Sequence, residues 1–255
     1  GGTADYTETV KDEAVFGLVA FDVTDNVTLT AEVRYQEETK ERTEYCSTSP
    51  STGDYNPWTN SCTNWGLGPP FAAPPVIVPG DPRFYNRPIG TVQYNEEAEF
   101  DSTTPRVTLD WRLSDNTMVY AVYAQGAKPG GLNGIAGQTI GQPTYDQEES
   151  DNFELGTKVT LFDNRMRLGA AVYLTQATDV QFTQAVPSPT GQGSVTSIAT
   201  NQGEGEIMGL ELDLQAAITE ALTLSATYSY TDTEITKGCD DFQYTLNTGG
   251  IVYNP

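Results

Sequence analysis

Along most of the chain, apolar residues return at every second position. Leu222, Leu224, Ala226, Tyr228 and Tyr230 alternate with Thr223, Ser225, Thr227 and Ser229. Leu210, Leu212, Leu214 and Ala216 alternate with Glu211, Asp213 and Gln215, and Val107, Leu109, Trp111 and Leu113 alternate with Thr108, Asp110 and Arg112. The same rhythm runs through Val27, Leu29, Ala31, Val33 and Tyr35, through Phe153, Leu155, Thr157, Val159 and Leu161, and from Met166 to Leu174. Successive side chains of a strand point to opposite faces, so this period predicts strands with one apolar and one polar face. Residues 14–23 and 117–124 carry apolar side chains at both parities, and the sequence does not choose their apolar face.

Two kinds of connection alternate between these segments. The short ones are Thr24-Asp25-Asn26, Ser114-Asp115-Asn116, Asp163-Asn164 and Thr219-Glu220. Their Asp and Asn side chains tolerate left-handed backbone and bond to it locally, as tight hairpins require. The long ones cover about 46–91, 128–146, 184–196 and 237–255, and are rich in Gly, Pro, Ser and Thr. The pattern predicts about eight strands in four hairpins, near 4–23, 27–45, 92–113, 117–127, 147–162, 165–183, 195–217 and 221–236. Several far exceed the ~5–6 residues of an ordinary strand and the ~9–11 that cross a bilayer. The apolar alternation lies next to the short turns, whereas residues 35–44 and 94–104, nearer the long loops, are polar on both faces.

Alternation alone fits either a soluble sandwich, with its apolar rows buried between sheets, or a membrane barrel. Three features favour the barrel: alternating short and long connections, very long strands with the apolar band at one end, and Phe21, Trp111 and Phe162 placed near the short turns as an interfacial girdle would be. Hydropathy does not object. No stretch approaches the ~18 apolar residues of a membrane helix, and a mean hydropathy of −0.42 is compatible with strands that need an apolar residue only at alternate positions.

Composition removes other functions. Against 35 Asp and Glu stand 13 Lys and Arg, a net charge of −22, so there is no basic stripe for nucleic acid. The chain has no His, no nucleophile elbow and no metal-ligand cluster. No enzyme, cofactor or metal site is expected, and Asp240-Asp241 reads as loop charge. Cys46 and Cys62 flank a Ser/Thr/Pro/Trp-rich loop and would form a disulfide in an oxidising compartment, leaving Cys239 odd. The chain starts at Gly1-Gly2 without a signal-like leader, which suggests a processed chain or a fragment.

Four segments resemble the TonB-dependent outer-membrane receptors. "VFGLVAFDVTDNVTLTAEVRYQEETK" (15–40), in the first strands of this chain, is similar to a hairpin of that family. "VYAVYAQGAKPGGLNG" (119–134) resembles its strand and loop start, with Ala127-Lys128 where an aromatic and a basic or polar residue are common. "ESDNFELGTKVTLFDNRMRLGAAVYLTQATDVQ" (149–181) and "NQGEGEIMGLELDLQAAITEALTLSATYSYTDTEI" (201–235) are similar to two further hairpins, in order and at matching spacing. Together they cover nearly everything outside 46–91.

The resemblance implies an all-β, antiparallel transmembrane barrel wall. Residues 1–255 would be part of the barrel domain, about eight strands of a ring of about 22, with short periplasmic turns and long extracellular loops. It further implies an active importer in the outer membrane of a Gram-negative bacterium, surrounded by lipid and lipopolysaccharide. Energy would come from the inner-membrane TonB complex, acting through a plug outside these residues. A ferric siderophore is the family default as substrate, with carbohydrate or cobalamin next; a passive porin-like barrel and a soluble secreted adhesin remain the competing readings. Within the loops, Lys128, Asn133, Gln142 and Tyr145 are the candidate ligand contacts, able to stack or hydrogen-bond. Glu154, Lys158, Glu211 and Asp213 are expected to face a wet lumen, and Gly209 to let its strand bend or pack closely.

Overall fold

Alternating chains of this kind pair edge to edge, and the computed structural model shows how. It describes residues 5–45, 55–56, 61–62, 87–88, 92–187 and 195–238. In chain order the strands are β1 (Asp5–Thr24), β2 (Val27–Tyr45), the two-residue bridges β3 (Tyr55–Asn56), β4 (Ser61–Cys62) and β5 (Arg87–Pro88), then β6 (Val92–Ser114) and β7 (Thr117–Lys128). After the short β8 (Gly131–Leu132) comes the only described helix, α1 (Gly134–Ile140), followed by β9 (Thr144–Tyr145). β10 (Glu148–Leu161), β11 (Met166–Thr178), β12 (Gln181–Pro187), β13 (Val195–Asn201), β14 (Glu204–Thr219) and β15 (Leu222–Lys237) complete the chain.

Eight strands form one antiparallel sheet in the order β1-β2-β6-β7-β10-β11-β14-β15, and among the described residues β1 and β15 are its open edges. The four turns at one end are short. Asp25-Asn26 is braced by the Thr24 hydroxyl, which accepts from the Asn26 amide, and the Ser114 and Thr219 hydroxyls receive the amides of Asn116 and Ala221 in the same way. Phe162, Asp163 and Asn164 all take left-handed φ (55°, 52° and 67°), so the turn between β10 and β11 uses the tolerance that Asp and Asn provide. Neighbouring hairpins are stitched at this end by Arg112 N–H to Asn26 C=O, Thr160 N–H to Asn116 C=O and Ala217 N–H to Arg165 C=O.

The register assigns every face. One cross-strand row runs Phe21, Leu29, Leu109, Ala121, Leu155, Val172, Leu210 and Tyr230. Its neighbour runs Val19, Ala31, Val107, Tyr123, Phe153, Leu174 and Met208. All the alternating apolar sets of the sequence thus share a single face across eight strands. That face is open: Val19 is 69 %, Leu155 54 % and Tyr228 57 % exposed. Phe21, Trp111 and Phe162 are exposed too, at the short-turn end where the sequence puts them. The two ambiguous segments are resolved by pairing. In β1 the odd residues Val15, Val19 and Phe21 join the apolar face, leaving Phe16 and Leu18 opposite Arg34 and Glu32. In β7, Val119, Ala121 and Tyr123 join it, leaving Met118, Tyr120 and Val122 on the polar face.

The polar face is closely fitted. Tyr120 lies over Gly156 and Tyr173 over Gly209, each ring occupying the space a Cβ would need. The Tyr120 hydroxyl donates to the Glu154 carboxylate at 2.6 Å, and the Tyr173 hydroxyl shares a hydrogen with Thr231 at 2.9 Å. Of the two roles the sequence suggests for Gly209, bending and close packing, the structure shows the second, under the Tyr173 ring. Glu154, Lys158, Glu211 and Asp213 all fall on this face, by register with Tyr173, Gly169, Ala171 and Gly169 respectively.

Two expected strands differ in detail. The segments near 165–183 and 195–217 each break, into β11 and β12 and into β13 and β14. Asp179 has φ 52° and Gly203 φ 111°, and Val180 bonds across the gap to Gly203 and Gln202. The hairpin therefore bends at both strands together, and β12–β13 becomes a separate two-stranded sheet. The expected loop at 184–196 is correspondingly shorter, since pairing continues to Pro187 and Val195. The loop at 128–146 is not structureless, because it holds β8, α1 and β9.

Candidate functional site

Burial is concentrated at the long-loop end. Tyr94, Leu132 and Ile198 are 2 %, 7 % and 2 % exposed, and Glu44 is a buried carboxylate at 4 %. These residues come from β6, β8, β13 and β2, so the core of the molecule is where loops fold onto the wall.

The base of this cluster is the polar face of β2 and β6 beyond the apolar band. Lys40 donates to the Gly130 carbonyl at 2.7 Å, ion-pairs with Glu38 at 3.0 Å and lies over the Phe100 ring. Arg42 stacks on Tyr6, 4.5 Å to the ring centre, and reaches Glu8 at 3.7 Å and Glu44 at 2.9 Å. Glu44 in turn accepts from the Ile135 amide at the start of α1. Gly134 has φ 65° and sits so close to the Glu44 carboxylate that no side chain fits there. Gly130 is pressed in the same way against the Phe100 ring. Glycines at 130 and 134 thus let the 129–146 loop lie flat on the wall. Beside them, burial raises the Tyr94 phenol above its ordinary pKa of 10.0, with the Glu96 and Glu44 carboxylates adding and the Arg42 guanidinium opposing.

The hairpin β12–β13 closes over the loop from the other side. Asn133 accepts from the Ala199 amide at 2.8 Å, donates to the Ala199 carbonyl at 2.8 Å and donates to the Gln142 carbonyl at 3.2 Å. Asn201 accepts from the Asp146 amide at 2.7 Å and donates to the carbonyls of Asp146 and Asp179, both at 2.8 Å. Gln181 donates to the carbonyls of Pro129 and Asp146 at 2.9 and 3.0 Å, while its backbone amide donates to Glu148 at 2.9 Å.

The four candidate ligand contacts are now placed. Lys128 ends β7, with its side chain 61 % exposed and 3.8 Å from Glu148. Gln142 is exposed, following the left-handed Gly141 that ends α1. Tyr145 is half-buried, its ring against Gly131 and its backbone paired with it. Asn133 touches Gln142, but its amide is engaged in holding β13 and the loop together. Sequence reasoning did not find Arg42, Glu44, Gln181 or Asn201; each acts on backbone atoms or charges far away in the chain, and no local motif marks that. Cys46 and Cys239 lie outside the described residues. Cys62 is described only through its backbone pairing with Tyr55 and Arg87, so the expected disulfide rests on sequence alone.

Among the described residues no helix is long and apolar enough to cross a membrane, a statement that does not bear on strands. Nor do they contain a group of three or more Cys, Asp or Glu able to hold a metal ion. The chemistry on offer is polar recognition by side chains and loop backbone.

Comparison with known proteins supplies the family. The chain is 32 % identical over 166 residues to the probable TonB-dependent siderophore receptor PiuA of Acinetobacter baumannii, covering 63 % of this chain and 21 % of that protein. It is 29 % identical over 170 residues to the ferric-pyoverdine M114 receptor PbuA of a Pseudomonas species, covering 67 % of this chain and 19 % of the other. The chain therefore matches about a fifth of the length of these relatives. Among solved structures, the ferric-catecholate import receptor Fiu of E. coli superposes with a TM-score of 0.62 at 16 % identity, over 99 % of this chain and 31 % of that one. The ferric yersiniabactin uptake receptor FyuA of Yersinia pestis gives 0.60 at 17 %, over 91 % and 28 %. These likenesses show the fold: an eight-stranded part of a barrel wall that does not close by itself. The model described as "TonB dependent receptor-like, beta-barrel" matches residues 1–253, and the chain belongs to that family.

Proposed function

We propose that this chain is wall and outer loops of an outer-membrane receptor that binds a scarce nutrient and imports it with TonB-coupled energy. The observation that carries this reading is the single apolar face running through all eight strands, backed by a polar face with folded loops at one end. An apolar face open across a whole sheet suits lipid as its neighbour, because left in water it would far exceed the apolar patches that soluble surfaces carry. The polar face then lines the lumen, the short turns lie on the periplasmic side, and the loop cluster forms part of the outer mouth. A plug outside these residues would contact TonB, and lipopolysaccharide would surround the outer rim.

A ferric siderophore is the favoured substrate, supported by the siderophore named for PiuA and the ferric pyoverdine named for PbuA. Lys128, Gln142 and Tyr145 are the proposed contacts from this part of the mouth: a cation, an amide and a phenol on exposed or half-exposed positions. Asn133 is proposed to contribute through the shape of the loop. The chain is proposed to act by binding and transport without catalysing a reaction.

The test is uptake of iron-labelled siderophores by cells carrying the receptor, with and without a functional TonB system. Uptake is expected only when both are present. Uptake that continues without TonB would point to a passive channel and overturn the reading.

A further inference from the structure

The loop 129–146 and the β12–β13 hairpin are joined in an unusual way. Neither contributes an ordinary strand pairing to the other. Two asparagine side chains stand in for peptide groups instead. In a hydrogen-bonded antiparallel pair, one residue exchanges both its N–H and its C=O with its partner. Asn133 does this with Ala199 through its side-chain amide, accepting at 2.8 Å and donating at 2.8 Å. Asn201 does the same with Asp146, accepting at 2.7 Å and donating at 2.8 Å. The two ties run in opposite directions: a loop residue grips the hairpin, and a hairpin residue grips the loop.

Further contacts lie between them. Gln181 sits at the base of the hairpin and reaches the Pro129 and Asp146 carbonyls at both ends of the loop. Leu132 and Ile198 are buried, one in each element. The hinge of the hairpin, at Asp179 and Gly203, is bonded to the Asn201 side chain through the Asp179 carbonyl. Asn133 also covers backbone groups of β13 that pairing with β12 leaves unused, a protection edge strands need.

We propose that Asn133 and Asn201 are positioning residues that join the 129–146 loop to strands β12 and β13 as one lip of the mouth, whose two parts separate only together. Ligand would then meet a surface whose two parts keep a fixed relation. The functional meaning rests on the transport reading above, but the joining itself does not.

The test needs neither ligand nor TonB, so its failure is separable from failure of that reading. Amide hydrogen exchange is measured on the receptor with its whole barrel, in lipid nanodiscs, at the amides of Ala199 and Asp146. Both are expected to be protected. Asn201→Ala removes the acceptor of the Asp146 amide and is expected to speed its exchange about tenfold or more. It is also expected to speed exchange at Ala199, which Asn133 holds. Asn133→Ala must show the converse, speeding Asp146 as well as Ala199, because parts that separate only together expose both amides in one step. Gln181→Ala cuts the joint elsewhere and must accelerate both amides as well. Wall amides such as Val159 report that the barrel is intact. If each variant accelerates only the amide it bonds, or if either amide is unprotected in the parent receptor, the proposal is wrong.

Discussion

At Gly156 the wall has no room for a side chain, because the Tyr120 ring lies where a Cβ would be and its hydroxyl is held by Glu154. Gly156→Val is expected to displace that ring and cost about 1–3 kcal/mol, the range for overpacking a filled site, read as a lower urea midpoint for unfolding from lipid vesicles. Gly209, beneath Tyr173, is the same joint one hairpin further on. Tyr94 makes a prediction of opposite character. Its phenol is raised in the folded protein, chiefly by burial. A raised pKa means the native state favours the neutral phenol, so its contribution is complete below the unfolded value of 10.0 and fades as pH rises through the folded value. Opening of the loop cluster, followed by proteolysis of 129–146, is expected to accelerate above that pH in the parent and much less in Tyr94→Phe. Single residues were legible in the sequence only where their partner is implied by the pairing of strands. Gly209 could be read as a bending or close-packing position because its strand could be read, and register with Tyr173 decided between the two. Glu44 could not, since the amide it receives lies 91 residues away, and Asn201 could not, with its partner 55 residues away.

Strands were the most legible elements, because alternation fixes them without reference to anything distant. Where both parities are apolar the sequence offers no choice of face, and only register supplies one. Ala121 falls in the row between Leu109 and Leu155, and Val122 falls between Thr108 and Glu154. These adjacent residues therefore give a sharp test. Ala121→Arg would place a charge in lipid and is expected to cost about 2–4 kcal/mol near the bilayer centre. Val122→Arg would face a wet surface beside a carboxylate and is expected to cost less than about 1 kcal/mol. Unfolding titrations of the two variants from vesicles read the difference directly, and equal costs would show that the face assignment of β7 is wrong. The bend at Asp179 and Gly203 was illegible for a different reason. Its cause is a pair of positive-φ residues, one in each strand, held by Asn201, which bonds both the Asp179 carbonyl and the loop at Asp146.

At the scale of the whole molecule, the sheet has among the described residues two long unpaired edges, β1 with 20 residues and β15 with 16. A transmembrane sheet tolerates no open edge in lipid, because each backbone group left without a partner there costs several kcal/mol. Neither edge carries an ordinary remedy along its membrane-level stretch. From Val15 to Phe21 and from Leu222 to Tyr230 there is no proline, no lysine and no charged side chain. These edges are built to be paired, and in the family's barrels the pairing partners are further strands of the ring. Residues 1–255 produced alone are therefore expected not to insert as a folded monomer. In detergent they should run at one position on a gel whether or not they are heated, and should associate through β1 and β15. The same residues within a closed ring should resist denaturation until heated. Introducing proline at Ala20 in the isolated chain removes a backbone donor that faces the open edge of β1, and should reduce that association. A heat-sensitive, monomeric band from the isolated chain would mean that eight strands can close on themselves, and the wall would then have to be redrawn as a small barrel in its own right.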